Sequence, residues 1–220
     1  MKNILCLYTC VQDRQYLAAL EETELLRRVR SDPSFLVLEV HASDQLTHPE
    51  FRDGCLIVPG REAYTHLSLK TYAMIRASLA YDFDFLLKLD GTLAGYERKQ
   101  QQKPAAVLAR LTPGAVLAAL DDPNFFAPAY NGLVKQQATR DGFESWMRTK
   151  GLDCDYRAVF PEGGPTPPYY LGKFYVLRRD FCEFIAAHAE AMAREHARYL
   201  GGSEDLMIGR LYERWRDQRV

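Results

Sequence analysis

"FDFLLKLDGTLAGYE" (residues 83–97) decides how this chain is read. It opens as an apolar run, Phe83 to Leu87, and ends on Lys88, Leu89 and Asp90 before the chain turns at Gly91. A short apolar run bounded by a glycine reads as a buried strand. An acid where such a strand meets a turn can present a carboxylate to a ligand, or it can cap a neighbouring amide. For Asp90 alone the cap is the cheaper reading. Metal–nucleotide chemistry generally wants a second carboxylate close by, and here Gly91 and Thr92 follow instead.

Working outward, strand and helix signals alternate through the first half. "NILCLYT" (3–9), "FLVLEV" (35–40) and "GCLIVPG" (54–60) read as strands with "FDFLLKL" (83–89). "QYLAALEETELLRRVR" (15–30) and "THLSLKTYAMIRASLAY" (65–81) carry apolar residues at helical spacing. This alternation predicts an α/β domain with a mixed, largely parallel sheet flanked by helices. Ligands of such sheets bind beyond the carboxyl ends of the strands, which groups Thr9, Cys10, His41, Asp44 and Asp90 at one edge. Later, "PAAVLARLTPGAVLAALDDPNFF" (104–126) mixes strand and helix character, and "FPEGGPTPPYY" (160–170) reads as an ordered loop lining a site. "DFCEFIAAHAEAMAREHARYL" (180–200) reads as one amphipathic helix with His188 on its inward face and His196 at the surface, closed by Gly201 and Gly202. A last helix over 203–220 starts on a Ser cap followed by Glu204 and Asp205, and its Arg-rich end reads as a packed terminal helix with a solvated face.

Bulk properties exclude several classes. With 28 basic and 29 acidic residues the net charge is −1, so nucleic-acid binding by a global basic field is not expected. The five cysteines are scattered without a CxxC pair, and no HExxH or other ligand spacing stands out, so they read as reduced thiols. There is no G-x-S-x-G, P-loop or G-x-G-x-x-G. No stretch is long and apolar enough to span a bilayer, and "MKNILCLYTC" reads as a first strand and not as a signal peptide. A cytoplasmic location, with peripheral contact at the inner membrane face, is the expectation.

In order along the chain, these segments resemble the inverting β-1,3-galactosyltransferases and their N-acetylglucosaminyltransferase and Fringe-like relatives. "ILCLYTCVQDRQYLAALEETEL" is similar to that family's first strand and helix, with Thr23 kept and Glu24 where Trp is usual. Glu62, Tyr64, Leu67, Leu69, Lys70 and Thr71 match the segment leading into "NLTLKT". "FDFLLKLDGT" matches the strand that ends in three acids. Gly132, Arg140 and Trp146 follow, then "PPYYLGKFYV" and "SEDLMIG".

The resemblance implies a single GT-A-type nucleotide-sugar-binding domain, with residues 1–95 as the nucleotide half and 96–220 as the acceptor half. It implies transfer of a hexose, of galactose or N-acetylglucosamine type, from a UDP-sugar to a glycan hydroxyl with inversion. The acceptor is expected in surface polysaccharide or lipopolysaccharide assembly, on a lipid carrier. Thr9, Cys10 and Arg14 would meet the base or ribose. Lys70, Asp90, Gly91 and Thr92 would line the nucleotide-sugar. Tyr169, Tyr170 and Gly172 would form the donor or acceptor loop. Asp205 would be the catalytic base, with Glu204 supporting it. The sequence departs from the family at "DGT", which leaves Asp90 as the sole acid of the triplet, and no His follows His196. Two enzyme readings follow. In one, Mn²⁺ or Mg²⁺ is held through Asp90, diphosphate and waters. In the other, transfer is metal-independent, with Lys70 or an Arg facing the diphosphate. The alternative is a non-catalytic binding or scaffold protein on a decayed transferase fold.

Overall fold

A computed structural model describes residues 2–8, 14–95 and 105–219. The fold is α/β. Strands β1 (Asn3–Tyr8), β2 (Phe35–Ser43), β3 (Glu50–Arg52), β4 (Cys55–Pro59), β5 (Phe85–Asp90), β6 (Tyr130–Gly132) and β9 (Phe174–Arg178) form a seven-stranded sheet in the order β3-β4-β2-β1-β5-β9-β6. The four central strands β4, β2, β1 and β5 run parallel, and β3, β9 and β6 join antiparallel. The sheet is therefore mixed, and its antiparallel wing comes from the second half of the chain. Strands β7 (Lys135–Gln136) and β8 (Tyr169–Tyr170) form a separate ladder.

Strict alternation in β5 sorts the two faces. Phe85, Leu87 and Leu89 pack with Leu5, Leu7, Leu20, Leu25 and Leu26 under α1 (Arg14–Glu21) and α2 (Glu24–Ser31). Leu86 packs with Ile4, Cys6, Met207 and Ile208 on the other face, under α3 (Leu67–Ser78) and the C-terminal helices. Lys88 and Asp90 continue the Leu86 row, so both polar side chains emerge on the α3 face at the carboxyl end of the parallel strands.

The structure corrects several expected boundaries. The predicted helix over 15–30 breaks at Thr23, whose hydroxyl accepts from the Leu26 N–H at 3.4 Å and starts α2. Residues 104–126 are helical where described: α4 (Ala105–Leu108), α5 (Pro113–Asp121) and a 3₁₀ turn over Pro123–Phe126. After α6 (Arg140–Thr149) and α7 (Tyr156–Val159), the 160–170 loop is ordered through Thr166, which exchanges bonds with Ala138 and accepts from Gln137.

The predicted 180–200 helix is two helices, α8 (Arg179–His188) and α9 (Glu190–Tyr199), divided at Ala189. That break shifts the helical phase and reverses the two histidines: His188 is exposed and His196 is fully buried. His196 Nε2 lies 2.8 Å from an Arg210 nitrogen, which can only donate, so Nε2 accepts and Nδ1–H donates to the Ser203 carbonyl at 3.0 Å. Burial, and then Arg210, drive the His196 pKa down to about 3, so it stays neutral. Ser203 precedes α10 (Glu204–Asp217) as expected, but its hydroxyl lies 3.1 Å from His196 and makes no cap bond. Leu211 and Trp215 bury the far end of α10, and Arg219 covers the Trp215 ring, as a packed terminal helix requires.

Gly202, at φ 75°, lets the chain turn from α9 into α10. A Cβ there would lie 2.6 Å from the backbone of Tyr64 and Thr65. Gly202→Ala is expected to cost more than the ~1–3 kcal/mol of backbone strain alone. Gly54→Ala, at φ 77° but in open space, should cost only the strain. Urea unfolding of both variants checks the ranking.

Candidate functional site

The carboxyl ends of β1 and β5, the start of β9 and the N-terminus of α10 converge on one polar cluster. Its centre is Lys88. The side chain is 1% exposed, an extreme position for a lysine. Its ammonium donates to the Gly172 carbonyl and to Glu204 Oε1 at 2.9 Å, and it lies 3.9 Å from Asp90 Oδ2. It also sits 4.6 Å from the Tyr8 ring centroid and 5.7 Å from that of Tyr175. Burial works against the charge, but Glu204 and Asp90 outweigh it and the Lys88 pKa is raised.

Asp90 ends β5 with its side chain 22% exposed. Oδ1 accepts from the Thr92 N–H at 2.8 Å and the Thr92 hydroxyl at 2.7 Å. Oδ2 is 3.1 Å from the Lys173 ammonium, which also donates to the Thr92 oxygen at 2.5 Å. Asp90 is thus both the turn cap and an ion-pair partner. Burial raises its pKa, yet Lys173, Lys88 and the Thr92 bonds together bring it down to about 2. The exposed Lys150 is a further cation nearby. Its ammonium lies 5.7 Å from the Tyr64 ring, and desolvation and then Lys173 lower its pKa.

Glu204 and Asp205 open α10 and divide in role, as adjacent helical residues must. Glu204 is buried against Lys88. Asp205 is partly exposed; it accepts from the Leu206 N–H at 2.8 Å and the Gly172 N–H at 3.3 Å. Burial and the neighbouring Glu204 raise the Asp205 pKa to about 7. Gly172 therefore bonds Asp205 through its N–H and Lys88 through its carbonyl. Its missing side chain makes room for Glu204, whose carboxylate occupies the place a Cβ would take.

The other expected site residues divide. Lys70 is buried and paired with Glu62 at 2.5 Å, 4.6 Å from the Tyr8 ring. It faces inward rather than into open space. Glu62 in turn accepts from the Ala42 N–H at 2.5 Å, tying α3 to β2. Gly91 and Thr92 begin a buried 3₁₀ turn beneath Asp90. Tyr169 is buried beside Phe143 and Leu206. Tyr170 packs edge-on against Tyr130 at 4.9 Å and donates its N–H to the Tyr130 hydroxyl. Both tyrosines support the loop from inside. Arg14 opens α1, while Thr9 and Cys10 lie outside the described residues. His41 lies on the opposite face of the sheet, in the row that continues Leu5 and Leu7.

Lys88, Lys173 and Tyr8 were not singled out in the sequence as site residues. A lysine inside an otherwise apolar strand, two positions before Asp90, was the available signal for Lys88. Lys173 had none beyond its place after Gly172.

The two carboxylates give opposite acid–base signatures. Asp90 is depressed from 3.8 to about 2, so its contribution is complete above about 3.8 and fades as pH falls through 2. Asp90→Asn should lose about 2 kcal/mol at neutral pH and flatten that acid limb. Asp205 is raised, so its contribution is complete below 3.8 and fades as pH rises through about 7. Asp205→Asn should then be more stable than the parent above that pH. Lys88→Met leaves Glu204 buried without its partner and should cost ~3–5 kcal/mol, much of it restored by adding Glu204→Leu. Urea titrations across pH measure all of these. Compared with known proteins, the chain matches no protein-family model and no curated protein.

Proposed function

We propose that the chain is an inverting glycosyltransferase that moves a hexose from a UDP-sugar to a glycan hydroxyl, on a GT-A-type domain. The observation that carries this is Asp205: a partly exposed carboxylate at a helix N-terminus, raised to about 7, beside a lysine-rich strand end. A group poised near neutrality can accept a hydroxyl proton at working pH. In the proposed step Asp205 takes the acceptor proton as the oxygen bonds to the sugar carbon. The bond from that carbon to the diphosphate breaks, and UDP departs with its electron pair. Glu204, held by Lys88, keeps the Asp205 carboxylate basic.

The residues at the strand end do not fit a divalent cation well. Mg²⁺ and Mn²⁺ want several oxygen ligands with space for water. Asp90 offers one carboxylate, with one oxygen bonded twice by Thr92 and the other by Lys173. This favours the metal-independent reading, in which the ammonium of Lys173 faces the departing diphosphate. Lys70, the lysine expected in that role, is paired with Glu62 and 2% exposed, whereas Lys173, though paired with Asp90, keeps 18% of its side chain exposed.

Turnover measured on a panel of UDP-sugars with chelator, Mg²⁺ or Mn²⁺ tests both steps. Activity should survive chelator. Lys173→Ala should raise the KM for donor and lower kcat together, by tenfold or more. Asp205→Asn should abolish turnover while UDP still binds, and the parent's rate should climb through pH 7. Absence of UDP binding at millimolar concentration would leave the non-catalytic scaffold reading.

A further inference from the structure

The face of the sheet opposite Lys88 carries a second chemical cluster. One lateral row of paired residues runs Leu89, Leu7, Glu39, Cys55 and Arg52 across β5, β1, β2, β4 and β3. It is apolar at Leu89 and Leu7 and turns polar at Glu39 on β2. His41, two residues beyond Glu39, shares that face. One ligand atom each from Glu39, His41 and Cys55 lie within 4.8 Å of one another, and all three residues are partly buried. His41 Nε2 is 3.4 Å from Glu39 Oε2. A cavity of about 420 Å³ opens beside them, lined by Leu17, Ala18, Glu21, Glu39 and His41.

We propose that Glu39, His41 and Cys55 form a binding site for a borderline-soft divalent transition metal, Zn²⁺ in the first instance. The donor set is one carboxylate oxygen, one imidazole nitrogen and one thiolate sulfur. That mixture selects Zn²⁺ or Co²⁺ over Mg²⁺ and Ca²⁺, which prefer oxygen alone. Three protein ligands leave a fourth tetrahedral position for water; Glu21, which also lines the cavity, is already paired with Arg30. Binding would release the Cys55 proton, which the thiol now directs at the Asp53 carbonyl, 3.9 Å away. Arg30 is the opposing charge: it lies close enough to Glu39 to be raised by it, but its guanidinium is engaged by Glu21. The site draws on neither Asp90 nor Asp205, so it stands apart from the transfer reaction.

Neighbouring parallel strands, not a run of sequence, bring these ligands together. Only the Glu39-x-His41 spacing was visible in the chain, at the two-residue period of a strand face.

Titrating the chelator-stripped full chain with Zn²⁺ in competition with a chromophoric chelator, and with Co²⁺ followed by absorption, tests the proposal. One equivalent of metal should bind, and Co²⁺ should show a thiolate-to-metal charge-transfer band. Cys55→Ser should abolish the band, and His41→Gln should weaken Zn²⁺ binding tenfold or more. Cys154→Ser should leave both unchanged. Far-UV circular dichroism identifies a variant that fails to fold, in which case Glu39→Gln replaces it. The proposal is overturned if the parent binds no stoichiometric Zn²⁺, or if the Cys55 and His41 variants bind as it does.

Discussion

One ammonium group, buried almost completely, organises the carboxyl edge of this sheet. Taking a lysine out of water costs several kcal/mol unless charge and hydrogen bonds meet it. Lys88 is met from four directions: Glu204 from α10, the Gly172 carbonyl from the loop before β9, Asp90 from its own strand, and the Tyr8 ring from β1. These elements come from distant parts of the sequence, so the single charge fixes their relative positions. The position of Gly172 follows from it too, since Glu204 can reach Lys88 only where that residue lacks a side chain.

Charge counting explains the neighbouring acid. Among the described residues around Tyr8 and Gly172, the ammonium groups of Lys70, Lys88 and Lys173 stand with the carboxylates of Glu62, Asp90, Glu204 and Asp205. Each of the first three carboxylates has a lysine of its own. Among the described residues Asp205 is met by N–H donors instead of an ammonium, and its affinity for a proton rises. The Gly172 peptide links Asp205 to Lys88, so displacement of this loop by a ligand would alter both groups together.

The central sheet was legible because β1, β2, β4 and β5 are apolar runs interrupted by turn residues, a pattern that needs no tertiary information. The strand-end position of Asp90 was legible for the same reason. Helix continuity was not: Thr23 and Ala189 interrupt segments whose apolar spacing reads straight through. At Ala189 the interruption resets the phase of the second helix, which buries His196, while His188 ends the first helix exposed. Lys173 and the Glu39–His41–Cys55 group were hidden for another reason, since each depends on which strands become neighbours. The antiparallel entry of β9 beside β5 is what carries Lys173 to Asp90.

Both margins of the sheet end in three-residue strands, β3 on one side and β6 on the other. β3 flanks its one phenylalanine with Glu50 and Arg52, all three exposed. A margin this short and charged exposes few backbone groups in register and makes a poor template for a further strand. The fold therefore resists edge-to-edge sheet growth between molecules at the β3 margin.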